Sequence, residues 1–165
     1  MEDLNKEIEK VFGNKLRVRV SGICIKDDKI LLIRHSSLGP KGILWAPPGG
    51  GIHYGESAKE TLKREFLEET GLKVEVNEFL FVHEFMEKPL HAIELFFKVT
   101  ILSGEVALGT DPEMTQNNQI INEVVFLSFE EIKKKDPLIF HHVINLCGST
   151  EEILNLRGFI RGQSN

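Results

Sequence analysis

Apolar and polar positions along this chain repeat with two periods, and the changes of period mark the elements. Leu4, Ile8, Val11 and Phe12 recur at helical spacing, with Gly13-Asn14 as a stop, so residues 3–12 read as a helix. Residues 16–34 read as a β-hairpin. Val18, Val20, Ile23 and Ile25 lead into the turn Lys26-Asp27-Asp28-Lys29, and Ile30-Leu31-Leu32-Ile33 returns. Residues 35–56 break both periods with Pro40, Pro47, Pro48 and six glycines, which predicts a long irregular loop of the kind that usually carries function.

Residues 57–70 carry the strongest helix signal. Ser57 and Glu60 form an S-x-x-E capping box, and Gly71 stands where a left-handed residue would end the helix. Strand patterns follow around 73–86 and 91–102, joined at Glu87-Lys88-Pro89-Leu90; Ile93, Leu95, Phe97, Val99 and Ile101 alternate cleanly in the second. After a polar stretch over 103–120, Val124-Val125-Phe126-Leu127 reads as a short strand, and Ser128 to Glu131 as another capping box. Asp136-Pro137 then opens a helix carrying Leu138, Ile139, Val143, Ile144 and Leu146, and a last helical segment follows Ser149. The chain shows no repeat or linker. One α/β domain over residues 1–165, built on a mixed sheet, is the expected organisation.

The helix over 57–70 poses a problem of charge. Glu65, Glu68 and Glu69 sit at i, i+3 and i+4, a spacing at which like charges repel. With Ala58 at zero and about 100° per residue, Leu62 and Phe66 define an apolar stripe at about 40° and 80°. Glu69 then falls at about 20°, Glu65 at about 340° and Glu68 at about 280°. Two of the three carboxylates therefore border the buried stripe, where a charge is costly unless it is neutralised. Arg64 is expected to serve one of them. A divalent cation with hard oxygen ligands, Mg²⁺ above all, would serve the rest. Pro47-Pro48-Gly49-Gly50-Gly51, just ahead, can bring bare backbone to the helix start, and Glu56 adds a fourth carboxylate.

Composition narrows the setting without changing this picture. The 165 residues are 41% hydrophobic and 27% charged, with a formal net charge of −5, which argues against nucleic-acid polymers or anionic membranes as partners held through a basic surface. Cys24 and Cys147 have no metal-ligand spacing and read as small core residues. The N-terminal residues lack a signal-peptide profile, and no apolar run approaches the roughly 18 residues a membrane span needs. A cytoplasmic location is the expectation.

Gly50, five residues, Glu56, seven residues, then Arg64-Glu65-Phe66-Leu67-Glu68-Glu69-Thr70-Gly71-Leu72 resembles the Nudix box, G-x5-E-x7-R-E-U-x-E-E-x-G-U, at every fixed and apolar position. Seven fixed residues at roughly 7% usage each arise by chance on the order of 10⁻⁸ per starting position. The resemblance implies the Nudix fold, a mixed β-sheet sandwiched between helices. It also implies Mg²⁺-dependent hydrolysis (Mn²⁺ a substitute) of the pyrophosphate linkage of a nucleoside diphosphate derivative, either an ADP-ribose-like sugar nucleotide or a (d)NTP. By the same resemblance Glu65, Glu69 and Glu68 form the metal site, with the Gly49 carbonyl a further ligand, and Glu56 and Arg64 support the helix. Glu68 is the first candidate for general base; Glu113 and Glu123 are the alternatives from a later loop. Arg34, at the end of the hairpin, reads equally as a phosphate contact and as an ordinary surface arginine at a strand end; Tyr54 is a candidate to stack on a base, whereas Phe81 and Phe85 read as core. Pro89, 17 residues beyond Leu72, resembles a proline of some ADP-ribose hydrolases of the family but reads as an ordinary hairpin turn. His141-His142 has no matching ligand pair and reads as structural. Family members often dimerise, so a homodimer joins the small-molecule nucleotide as an expected partner. A Nudix-fold binding module without catalysis is the alternative reading, although no box glutamate is lost. The isomerase branch would need a catalytic cysteine, and neither cysteine here has a motif around it.

Overall fold

A computed structural model describes residue 6 and residues 9–110 and 120–162. Eight strands are present among them: β1 (Leu16–Lys26), β2 (Lys29–Ser36), β3 (Ile43–Ala46), β4 (Gly49–Gly51), β5 (Lys73–Glu87), β6 (Leu90–Ser103), β7 (Ile121–Leu127) and β8 (Gly158–Arg161). The helices are α1 (Ala58–Thr70), α2 (Phe129–Lys133), α3 (His142–Asn145) and α4 (Thr150–Asn155). The strands run in the order β3-β2-β1-β6-β5-β8, with β4 paired to β1 and β7 to β2. Pairing is parallel for β1 with β6 and β5 with β8, and antiparallel elsewhere, so the sheet is mixed as expected.

The sheet has an apolar layer on each face because its central strands are apolar at both parities. On β2, Leu31 faces one way and packs with Val20, Phe97 and Val99 against Leu62 and Phe66 of α1. Ile30 and Leu32 face the other way and pack with Phe81 and Phe96 against Ile132, Val143, Ile144 and Ile153 of the later helices. Helix α1 thus covers one face and α2 to α4 cover the other. The caps form as read: Ser57 and Glu60 exchange hydrogen bonds at the start of α1, Gly71 ends it with φ 73°, and Ser128 and Glu131 repeat the capping box on α2.

Three expectations are corrected. The stretch 35–56 is not wholly irregular, since β3 and β4 lie within it, the glycine run pairing with β1. The helix expected after Asp136 is split. Pro137–Ile139 makes a 3₁₀ turn, Phe140 is extended, and α3 begins only after His141. Tertiary contacts outweigh helical propensity here: Phe140 is buried beside Trp45, and the His141 amide donates to the Trp45 carbonyl at 2.8 Å. Strand β8 is added beside β5 where no strand was read. Of the N-terminal helix, residues 6 and 9–12 are helical and the rest of the expected span lies outside the described residues. Cys24 is buried, Cys147 is half-buried, and both are free thiols.

Candidate active site

Strand β4 builds the floor. Its register sets Gly51, Gly50 and Gly49 opposite Arg19, Val20 and Ser21 of β1, and the Gly22 amide donates to the Pro48 carbonyl at 2.9 Å. The glycines are required by close approach. A Cβ on Gly50 would overlap the Glu65 carboxylate, and one on Gly49 would overlap the Val20 carbonyl. The Glu65 and Glu69 side chains of α1 therefore lie directly against the β4 backbone, with no side chain from β4 in the way.

Glu65 and Glu69 are buried, at 6% and 4% exposure, whereas Glu68 is half-buried. This is the division that the helical wheel predicts. The Gly49 amide donates to Glu69 Oε2 at 3.0 Å. Arg64 does more than the single pairing expected of it. Its Nε and Nη2 grip Glu56 Oε1 and Oε2 at 2.9 and 3.0 Å, and its Nη1 reaches Glu65 Oε1 at 2.8 Å and Glu68 Oε2 at 3.0 Å. Thr61 Oγ1 also donates to Glu56, at 2.7 Å. One planar fork can do this because a guanidinium carries five donors in fixed directions.

The titration behaviour follows these contacts. The Arg64 hydrogen bonds hold Glu56 down at about 2, with Thr61 adding to the effect. Burial pushes Glu65 above the ordinary carboxylate value against the opposing pull of Arg64. Arg64 is raised above its ordinary value, by Glu56 first. Glu56, Glu65 and Glu68 share the one Arg64 guanidinium, and Glu69 lies one helical turn from Glu65 on the same buried side. Hard oxygen donors, two of them buried, beside a backbone carbonyl at Gly49 fit a divalent cation such as Mg²⁺.

Arg19 is a neighbour the sequence did not announce. Its Nη2 donates to the Gly49 carbonyl at 3.5 Å, and no motif surrounds it. The C-terminal end of α1 is also held from outside: the Ala107, Gly109 and Thr110 amides donate to the Thr70, Glu69 and Glu68 carbonyls.

The remaining expected residues stand apart. Arg34 shares the parity of Leu32, which packs on the face away from α1, and Arg34 Nη1 donates to Asn122 Oδ1 at 3.5 Å. Tyr54 is fully exposed in the turn before α1. Glu123 is exposed on β7, opposite Arg34. Glu113 lies outside the described residues. Phe81 is buried in the core and Phe85 is half-buried. Pro89 sits in the two-residue connection between β5 and β6.

Comparison with known proteins bears directly on this geometry. The family model of the NUDIX domain matches residues 15–145. An ADP-ribose pyrophosphatase from Methanocaldococcus jannaschii is 35% identical over 118 residues, spanning 70% of this chain and 69% of that protein. Among solved structures, a NUDIX hydrolase from Nitrosomonas europaea superposes with TM-score 0.67 at 22% identity, covering 84% of this chain and 88% of the other. A MutT NUDIX hydrolase from Burkholderia pseudomallei superposes with TM-score 0.64 at 21% identity, covering 80% and 95%. The chain belongs to the NUDIX family: it is a Nudix hydrolase, in a family that generally uses a divalent metal and acts on small-molecule nucleotides. Among the described residues no helix is long and apolar enough to cross a membrane.

Proposed function

We propose that this Nudix pyrophosphohydrolase cleaves the pyrophosphate linkage of a nucleoside diphosphate derivative, with an ADP-ribose-like sugar nucleotide as the leading substrate and Mg²⁺ as its ion, replaceable by Mn²⁺. The carrying observation is the pair of buried carboxylates, Glu65 and Glu69, set against the bare backbone of β4 on the same helix as Glu68. The activity of the Methanocaldococcus relative supports the choice of sugar nucleotide over (d)NTP. The 165 residues act as one Nudix unit in the cytoplasm.

In this reading Glu65, Glu69 and the Gly49 carbonyl would hold the ion, with Glu68 beside them. Bound there, a divalent ion would neutralise charge on the diphosphate and lower the pKa of a bound water. Glu56 anchors Arg64, and Arg64 orients Glu65 and Glu68. Glu68, half-buried and open to solvent, takes the proton from the attacking water. The water oxygen bonds to one phosphorus, the bond from that phosphorus to the bridging oxygen breaks, and the other phosphate departs with the bridging oxygen. Glu113 and Glu123 are the alternative bases, Glu123 being the cross-strand partner of Arg34. Arg34 and Tyr54 remain proposed substrate contacts that the substrate would have to draw in.

A panel of sugar nucleotides and (d)NTPs with Mg²⁺ or Mn²⁺, run on wild type and Glu69→Gln, tests this. Release of a nucleoside monophosphate by wild type and its loss in the variant are expected. Equal turnover by both proteins refutes the metal assignment. Absence of turnover on every compound shifts the reading to a binding module.

A further inference from the structure

A second constellation lies on the other side of the sheet from α1. Antiparallel register sets His83 of β5 opposite Glu94 of β6, and parallel register sets Arg19 of β1 opposite the same glutamate, so the three form one row across three strands. His83 and Glu94 share the parity of Phe81 and Phe96, which pack toward the later helices. The break before α3 then lowers His141 onto the row. His83 Nδ1 lies 2.8 Å and His141 Nε2 2.9 Å from the same oxygen, Glu94 Oε2. The three ligating atoms all fall within 4.8 Å of one another.

We propose that His83, Glu94 and His141 form a second cation site, selective for a borderline transition metal of the Zn²⁺ class and separate from the carboxylate site on α1. Two imidazoles and one carboxylate, with a fourth position left for water, match the donor set that Zn²⁺ takes, whereas the all-oxygen box suits Mg²⁺. The carboxylate is divided to suit. Oε2 faces both imidazoles, and Oε1 is held by Arg19 Nε at 3.4 Å, which fixes the plane of the ligand from outside. The ligands come from two paired strands and a helix cap, so little ordering is left to do on binding. Coordination through His83 Nδ1 would leave that ring's proton on Nε2, which has no partner among the described residues. Coordination through His141 Nε2 moves that ring's proton to Nδ1, at the cost of one long contact from the Val143 amide at 3.4 Å.

The test uses the full chain stripped with chelator, titrated with Zn²⁺ by calorimetry and with Co²⁺ by visible absorption. The variant Glu65→Gln/Glu69→Gln should still bind one Zn²⁺ per chain and give the intense bands of tetrahedral Co²⁺, with excess Mg²⁺ unable to displace either ion. His141→Asn and His83→Asn should lose both signals while far-UV circular dichroism stays native. Should the buried His83 variant fail to fold, the ring ¹⁵N resonances of wild type decide: Zn²⁺ should shift His83 Nδ1 and His141 Nε2. Absence of tight Zn²⁺ binding in the box variant, unchanged binding in His141→Asn, or unmoved ring resonances would each overturn the proposal.

Discussion

Replacing Arg64 by Gln removes one side chain and unmakes four contacts at once. The bidentate grip on Glu56 at 2.9 and 3.0 Å goes, as do the bonds to Glu65 at 2.8 Å and Glu68 at 3.0 Å. Glu65 is then a buried carboxylate with its nearest cation gone. Breaking a buried pair by removing one partner costs about 3–5 kcal/mol. Arg64 itself is 28% exposed, so water screens part of the interaction. The lower end, about 3 kcal/mol, is therefore expected in chelator. For a chain of this size that is a fall of about 6–12 °C in melting temperature. Saturating Mg²⁺ should narrow the gap between variant and wild type, because an ion held by Glu65 and Glu69 supplies the missing positive charge. Denaturant melts of both proteins in chelator and in Mg²⁺ give the two differences directly. A double-mutant cycle with Glu56→Gln should return a coupling of about 1 kcal/mol or more. A loss below about 1 kcal/mol in chelator would place Arg64 among ordinary surface pairs and sink the argument that it holds the cluster together.

Further outcomes follow from the same geometry. Glu68→Gln should lower kcat by about 10²–10⁴-fold with melting temperature little changed, if Glu68 takes the proton; a normal kcat would pass that role to Glu113 or Glu123. Gly50→Ala drives a methyl into the space of the Glu65 carboxylate, and about 1–3 kcal/mol of stability should go with it, together with Mg²⁺ affinity by calorimetry. Phe66→Ala empties the contact between α1 and the sheet, where the ring is fully buried, and should cost about 3–5 kcal/mol in urea unfolding. Because Arg64 lowers the folded pKa of Glu56 to about 2, that carboxylate's contribution is complete above its ordinary unfolded value of 4.5 and is lost as pH falls toward 2. Glu56→Gln should flatten the stability profile across that window, and an unchanged profile would refute the assignment.

Much of the site was legible because it is local. Capping boxes, the Gly71 stop and the spacing of the carboxylates all lie within one or two helical turns, where geometry follows from sequence offset. The wheel placed Glu65 and Glu69 at the buried stripe, and both are buried. The hairpin at Lys88-Pro89 also carried a usable signal: once Glu87 pairs with Leu90, simple counting sets His83 against Glu94. What could not be read was anything needing a distant partner. Pairing with β1 turns the glycine run into β4, and the buried contact between Phe140 and Trp45 breaks the late helix before His141. Arg34, judged by its position at a strand end, lies on the face away from α1 because parity, fixed by the register of the whole sheet, decides its side.

By itself, then, the sequence determined the family, through fixed spacings from Gly50 to Leu72, and the helix and identity of the acidic cluster, which depend on neighbours within about two turns. Only the tertiary structure decided what that cluster lies against, because the pairing of β4 with β1 sets the Gly49 amide on Glu69 and bare Gly50 against Glu65. It alone decided too that Arg19, His83, Glu94 and His141 meet, for they come from three strands and a helix cap that only the folded sheet brings within bonding distance.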